Sequence, residues 1–594
     1  MTSIQELEAM ANKLRIHSLK STTAAGSGHP TSCLSCAEIM SALFFSELRE
    51  EDEFILSKGH AAPILWAVYA EAGIIPVEEL MNLRKIDSVL EGHPTTRMPF
   101  VKVATGSLGQ GLAAGVGMAL AKKLEDNPGR VYVLLGDGEV AEGSVWEAAS
   151  SAACYKLSNL CAIIDINRLG QSQETMHGHD LDAYEKKFKA FGWDTSKING
   201  HSIEELLHAF EKARNCDAPQ VILARTIKGK GVSEVEDQDG WHGKALKPEM
   251  LEKALQEIRG VPGVKLGSSI KFKKSNAEHE FNDFRLSKEY ALGEMIATRE
   301  AFGRSLVEAG KANSKVVVLD GDVKNSTMTE YFFAEFPERS FECFIAEQNM
   351  VGVAIGFSAM GFTPFVATFG AFLTRAYDFI RMAQYSNADI KFVGSHAGIS
   401  IGADGPSQMG LEDLSMFLAM PNSVVLYPSD AVSAEKLVKE MIKHRGISYL
   451  RTTRERTRVI YNNNEDFPIG GLKVLRQSED DKAMVIGAGI TVHEALRAHE
   501  ELQKENISIR VVDLYSVKPV DKKALLRNAE ECNNNVVVVE DHYANGIGSV
   551  VSEIVGRIKH LCIKEIPRSG KSEELRSKYG IDANAIMREV KKLL

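Results

Sequence analysis

A chain of 594 residues exceeds what one hydrophobic core organises, so it must divide into several domains. Its 44% hydrophobic and 25% charged residues, with 48 glycines, exclude a collagen-like or disordered chain. A formal charge of -10 argues against general nucleic-acid binding, yet leaves room for a local cationic pocket.

The first element in chain order is a charged amphipathic helix opening Ile4-Gln5-Glu6-Leu7. It lacks the continuous apolar run of a signal peptide, and the small-residue stretch near Gly109 to Leu120 is too short to cross a membrane. A cytoplasmic protein with no membrane partner is expected. Cys33-x-x-Cys36 has no second ligand pair and reads as two helical thiols, not a zinc site. Apolar, β-branched runs then recur at 131–135, 162–166, 221–224, 316–319, 392–393, 424–426, 484–486, 509–512 and 536–539, each followed by a turn and a helical pattern. That alternation predicts an α/β protein with mainly parallel, helix-covered sheets, whose chemistry sits in turns beyond the carboxyl ends of the strands. Pro262-Gly263 and Gly267-Ser268-Ser269 mark a connector, and 461–466, Tyr-Asn-Asn-Asn-Glu-Asp, marks a second break. Three domains are expected, at 1–260, 292–460 and 461–594, with a linker at 261–291.

Gly136-Asp137-Gly138-Glu139 follows one of these strands, and Asp165-Ile166-Asn167-Arg168-Leu169 ends the next. Magnesium takes hard oxygen ligands and shares them with phosphates, so a carboxylate, an amide oxygen and a backbone carbonyl suit a metal bridging a diphosphate. Alone, Gly-Asp-Gly would be only a tight turn. Gly106-Ser107-Leu108-Gly109-Gln110-Gly111 opens a small-residue helix whose amides could face an anion, although helix packing explains it equally well. Histidine stands beside Gly or Pro in Gly28-His29-Pro30, Gly59-His60, Gly92-His93-Pro94 and His242-Gly243. One such histidine is commonly a loop or core hydrogen-bonding residue. Four suit a polyhydroxylated substrate, with groups that donate, accept and transfer protons near neutral pH. Thr298-Arg299, Asn325-Ser326, Ser395-His396 and Arg451-Thr452-Thr453-Arg454 carry guanidinium, hydroxyl and imidazole groups able to cradle a phosphate. Arg451 itself reads as a solvated charge, and Asp404 as a hydroxyl contact or an Asp-Gly turn residue.

Ala24-Ala25-Gly26-Ser27-Gly28-His29-Pro30, Leu56-Ser57-Lys58-Gly59-His60-Ala61-Ala62, Ala104-Thr105-Gly106-Ser107-Leu108-Gly109-Gln110-Gly111 and Ala346-Glu347-Gln348-Asn349-Met350 resemble the transketolase family. The resemblance runs through nearly the whole chain. It implies the thiamine diphosphate-binding fold twice, first for the diphosphate and then for the aminopyrimidine, plus a C-terminal α/β domain outside the chemistry. It implies reversible transfer of a two-carbon ketol unit from a ketose phosphate such as xylulose 5-phosphate to an aldose phosphate such as ribose 5-phosphate, in the pentose phosphate pathway. The cofactors implied are thiamine diphosphate and Mg2+, with Ca2+ or another divalent ion able to substitute.

By the same resemblance, Asp137, Asn167 and the Leu169 carbonyl hold the metal. Ser32, His60, Gly106, Ser107, Leu108, Gly138, Asn167, Lys228 and His242 contact the cofactor on the diphosphate side. Glu347 meets the pyrimidine N1′, with Phe369, Phe372 and Gln408 lining the ring. His29 and His242 handle protons at the donor carbonyl and His93 contacts substrate hydroxyls. Arg299, Ser326, His396 and Arg454 take the phosphate, and Asp404 a hydroxyl. A homodimer with active sites between subunits is implied. Gln408 stands where microbial and plant members carry His, which points to the animal-type branch, and the segment 48–54 is shorter than in many members. Another thiamine enzyme, such as deoxyxylulose-phosphate or dihydroxyacetone synthase, and a noncatalytic transketolase-like interaction protein are the alternatives. Retention of Glu347, Asp137, Asn167 and the four histidines speaks against the noncatalytic one.

Overall fold

The computed structural model describes residues 2–258, 264–267 and 281–594. The connector signals Pro262-Gly263 and Ser268-Ser269 lie outside the described residues. The chain forms two compact units, one of Met1–Ala277 with Val351–Gly361 and Tyr385–Asn387, the other of Glu278–Met350, Phe362–Gln384 and Ala388–Leu594.

The first unit opens on the expected helix, which runs Ile4–Ala25. Ser3 Oγ accepts from the Glu6 amide while the Glu6 carboxylate accepts from the Ser3 amide at 2.8 Å, so two otherwise unbonded amides of the first turn are satisfied. Its sheet consists of β1 (Glu53–Leu56), β2 (Val131–Gly136), β3 (Leu160–Ile166), β4 (Asp194–Asn199) and β5 (Gln220–Arg225), ordered β1-β2-β3-β5-β4 and parallel throughout. All seven residues of β3 are buried, which is why its sequence is a continuous apolar run rather than an alternating one. Cys33 and Cys36 are buried free thiols in and just after the short helix Pro30–Ser35.

The second unit contains β6 (Met295–Ala297), β7 (Val316–Asp320), β8 (Ser340–Glu342), β9 (Thr363–Phe369), β10 (Lys391–Ser395), β11 (Val424–Leu426), β12 (Ser448–Arg451) and β13 (Arg456–Arg458). After them come β14 (Lys473–Arg476), β15 (Met484–Gly487), β16 (Arg510–Asp513), β17 (Ser516–Lys518), β18 (Val536–Tyr543) and β19 (Lys559–Ile563). Seven of these form a sheet ordered β17-β11-β12-β10-β9-β7-β8, and five form a second sheet ordered β14-β16-β15-β18-β19. Most pairs are parallel; β11 with β17, and β14 with β16, are antiparallel. The C-terminal segment thus lends β17 to the sheet of the segment before it.

Arg451 corrects the sequence reading. It is wholly buried at the end of β12, where its guanidinium donates to Asp413 at 2.8 and 3.3 Å, to the Gly410 carbonyl at 2.7 Å and to the Asp541 carbonyl at 3.0 Å. A buried cation is tolerated there because a carboxylate and two carbonyls meet its fork.

Candidate functional site

In the first unit the carboxyl ends of four strands lie side by side. Leu56 pairs with Leu134, Gly136 with Asp165, and Ile166 with Arg225, so the turns after β1, β2, β3 and β5 follow one another along one edge. They carry Lys58 and His60, Asp137 and Gly138, Asn167 and Leu169, and Lys228. Asp137 ties two of them together: Oδ1 accepts from the Gly138 amide at 2.9 Å, and Oδ2 from the Arg168 amide at 2.7 Å and the Thr175 hydroxyl at 3.1 Å. Burial and the nearby Asp165 carboxylate push Asp137 up to about 6. The Asn167 amide donates to Asp165 at 3.3 Å, and its oxygen accepts from the Leu169 amide at 3.3 Å. The Leu169 carbonyl faces positive charge, because Lys228 Nζ donates to it at 2.5 Å.

Beneath these turns lies a buried ion pair of Lys58 with Asp165, which also accepts from Ser35 at 2.6 Å and from Thr226. Burial would raise the Asp165 carboxyl, but Lys58 outweighs it and holds the group low. Glu139 accepts from the Ser57 hydroxyl at 2.5 Å, the Gly109 amide at 2.8 Å and the Gly136 amide at 3.0 Å, pinning the loop 106–111 to the Asp137 turn. Gly106 sits in that loop at φ +136°, and a Cβ there would lie 3.0 Å from the His93 ring. Glycine is needed for both reasons. Ser107 and Leu108 follow it, with Leu108 partly exposed.

Three imidazoles gather beside these turns. His29, His60 and His242 have ring centres 5.0 to 5.2 Å apart, and His93 lies 6.3 Å from His29. Thr31 holds two of the strands of sequence together, its hydroxyl donating to the Trp241 carbonyl at 3.2 Å. Burial, then the neighbouring His93 and the cations of Arg84 and Lys228, drive His29 down to about 4. Burial and Lys228 drive His242 down to about 3. His60 and His93 are lowered in the same direction, chiefly by burial. Lys228 Nζ meets His242 Nδ1 at 2.8 Å, and burial with the nearby Lys58 brings Lys228 down to about 8. Among the described residues, the buried Ser32 hydroxyl and His29 Nδ1 find no hydrogen-bond partner.

The second unit holds a separate group of residues, again beyond strand ends. Glu347 begins the helix Glu347–Ala359 and is 4% exposed; among the described residues its buried Oε2 has no hydrogen-bond donor, and Arg375 Nε lies 3.9 Å away. Phe369 is sandwiched: its ring stacks on His396 at 4.0 Å and on Phe372 at 5.0 Å, tilted by 9° and 5°. The alignment of Ser395 with Phe369 in neighbouring strands brings the first pair together. Burial, then Arg299 and Arg454, bring His396 down to about 3, while its Nδ1 meets the Ser395 hydroxyl at 2.8 Å. Arg299 donates to the Ser326 carbonyl at 2.7 Å, and its buried Nε has no hydrogen-bond partner among the described residues. Arg454 pairs with Asp404 at 3.0 Å, both half exposed. Gln408 lies on the same loop as Asp404, its amide 3.5 Å from the Ser407 hydroxyl.

The chemistry of the first group fits a diphosphate, with unsatisfied donors, a lysine and the amides of a glycine loop. Among the described residues no three His, Cys, Asp or Glu side chains converge on a metal position. The Asp137 carboxylate, the Asn167 amide oxygen and the Leu169 carbonyl are hard oxygens of the kind that fit Mg2+ shared with a phosphate. The unbonded Glu347 oxygen fits a ring nitrogen able to carry a proton.

Family models for the transketolase thiamine diphosphate binding domain, pyrimidine binding domain and C-terminal domain match residues 7–265, 294–459 and 472–586. A transketolase of Homo sapiens is 49% identical over 611 residues, covering 100% of this chain and 98% of its own length. One of Mus musculus is 50% identical over 611 residues, with the same coverage of 100% and 98%. The crystal structure of a Campylobacter jejuni transketolase superposes with a TM-score of 0.88 at 26% identity, covering 100% of both chains. The chain belongs to the transketolase family. It is an enzyme that binds thiamine diphosphate and transfers a ketol unit between sugar phosphates, on the three-domain α/β fold of that family. Its kinship with mammalian transketolases agrees with the animal-type reading of Gln408.

Within this transketolase fold, the sequence does not single out Lys58, Asp165 and Glu139, the buried charged residues that bind the turns of the first group together. All three are charged, buried and adjacent to residues it does single out. That adjacency, at the carboxyl end of an apolar run, was the available signal.

Proposed function

We propose that the two groups of residues divide the transfer between them, in the roles the family resemblance implies. Ser32, His60, Lys228 and the amides of Gly106, Ser107, Leu108 and Gly138 bind the diphosphate. Asp137, Asn167 and the Leu169 carbonyl hold Mg2+ beside it. Phe369, Phe372 and Gln408 line the pyrimidine ring. When bound, thiamine diphosphate supplies a nucleophilic carbon and an electron sink for carbon–carbon cleavage. Glu347 holds a proton at N1′ and so controls the proton balance of the ring. His29 and His242 accept and return protons at the donor carbonyl oxygen, and His93 orients substrate hydroxyls. Arg299, Arg454, His396 and Ser326 anchor the phosphate, and Asp404 engages a hydroxyl.

The observation that carries this reading is the imidazole cluster. His29 at about 4 and His242 at about 3 are neutral at neutral pH, and a neutral imidazole can take a proton from a hydroxyl where an imidazolium cannot. The test is kcat/KM of His29→Asn and His242→Asn, with cofactor binding followed separately by quenching of protein fluorescence. Losses of about 10²–10⁴-fold with the cofactor still bound are expected. Near-normal turnover in either variant would remove that histidine from proton handling.

A homodimer belongs to the same reading. It is supported by Phe344 and Ile345, three and two residues before Glu347, which expose 51% and 71% of their surface and call for a covering partner. A cytoplasmic location is proposed because all eight cysteines stand as free thiols, as a reducing compartment keeps them.

A further inference from the structure

We infer that the C-terminal segment takes part in substrate recognition, through one short helix that positions both phosphate-site loops. The inference rests on the assignment of Arg454 and Asp404 given above. The helix Ser572–Lys578 lies in the segment that the family resemblance leaves outside the chemistry.

At its start, the Ser572 hydroxyl donates to the Ser400 carbonyl at 2.7 Å, gripping the turn Ile399–Asp404. Further along it, Arg576, only 4% exposed, forks onto both oxygens of Glu455 at 2.7 and 3.2 Å. Glu455 is the residue after Arg454. The remaining guanidinium edge of Arg576 reaches Glu494 at 2.9 Å, which fixes the arginine to the helix Ile490–Lys504 of its own segment. One helix therefore contacts the Ser400 carbonyl, four residues before Asp404, and the side chain of Glu455, the neighbour of Arg454. The tips of those two loops close on each other in the Arg454–Asp404 pair at 3.0 Å.

A third contact makes the grip on the first loop rigid. Asp541, buried at the end of β18, accepts from the Ile399 amide at 2.8 Å. Gly398 lies against that carboxylate at φ +75°, where a Cβ would come within 2.0 Å of an Asp541 oxygen. No other residue could follow this path so close to Asp541.

The separation of Arg454 from Asp404 is thus set from outside the loops that bear them. An incoming sugar phosphate competes with Asp404 for Arg454, and a preset spacing limits how far the pair must open. Arg576 and Ser572 are positioning residues: they touch no substrate and act through Glu455 and Ser400.

The test uses the holoenzyme with ribose 5-phosphate and, separately, unphosphorylated glycolaldehyde as acceptor. Ser572→Ala and Glu455→Gln should each raise KM for ribose 5-phosphate about three- to tenfold, the scale of one lost hydrogen bond. Meanwhile kcat should hold and KM for glycolaldehyde should not move. Ser572→Thr, which keeps the hydroxyl, should restore the wild-type KM. Arg576→Lys keeps the charge but loses the fork and should behave as Glu455→Gln does. Equal losses with both acceptors, a fall in kcat alone, or unchanged kinetics in Ser572→Ala would overturn the inference. Arg454→Ala serves as the control. If it is acceptor-selective and the helix variants are not, the positioning role fails and the phosphate assignment stands; if it is itself unselective, that assignment fails and the inference falls with it.

Discussion

Neutral imidazoles have a cost at acid pH whose sign can be worked out. His29 and His242 are lowered to about 4 and about 3 in the folded chain, from 6.5 when exposed. Between those values the unfolded chain binds more protons than the folded one, so their contribution is complete above pH ~6.5 and is lost as the pH falls toward ~4. Thermal melts of the cofactor-free protein across that window should show a declining Tm, and His29→Asn should flatten the decline. A slope unaltered by that substitution would mean that His29 titrates normally. The phosphate end behaves differently: Arg454→Ala should raise KM for phosphorylated donors and acceptors more than for short unphosphorylated ones. At this scale the clustering of the candidate residues was largely legible, since histidines beside Gly or Pro and an Asp after an apolar run are local signals. The burial of Arg451 was not, because its partners Asp413 and Asp541 reach it only through the fold.

Among elements, strands with uninterrupted apolar runs were legible and those with a mixed pattern were not. β9 escaped because it begins Thr363-Pro364, and proline argues against a central strand. It is accommodated because β10 pairs only from Phe365 onward, so no ladder bond on that side needs a donor from Pro364. β17, Ser516-Val517-Lys518, carries no apolar run to read, and its place beside β11 depends on the turns that deliver it. The buried Arg451–Asp413 pair joins the end of β12 to the helix Asp413–Leu418. Burial would raise Asp413, and Arg451 reverses that shift and keeps it charged. Arg451→Met strands that charge and should cost about 3–5 kcal/mol, read from denaturant unfolding. A loss within experimental error would mean that Asp413 is neutralised by its other neighbours, Tyr449 and His542.

For the whole molecule, the proposed division of roles draws on residues of both groups, and the exposed Phe344 and Ile345 support assembly as part of that proposal. If active sites form between subunits, mixing His29→Asn with Glu347→Ala should recover activity that neither has alone, as hybrid dimers combine an intact half from each. Recovery should follow subunit exchange, measured by sedimentation of differently tagged chains; no recovery after full exchange would mean that one subunit supplies both halves. Composition could bound the number of domains, but no local pattern carries partner contacts, and the resemblance supplied them instead.

The most direct measurement is turnover of xylulose 5-phosphate with ribose 5-phosphate by the purified chain, with and without thiamine diphosphate and Mg2+, beside Glu347→Ala. Equal formation of glyceraldehyde 3-phosphate and sedoheptulose 7-phosphate, only with both cofactors and absent from a folded Glu347→Ala, is the predicted result. Full activity in that variant, or none in the cofactor-bound parent, would contradict the account.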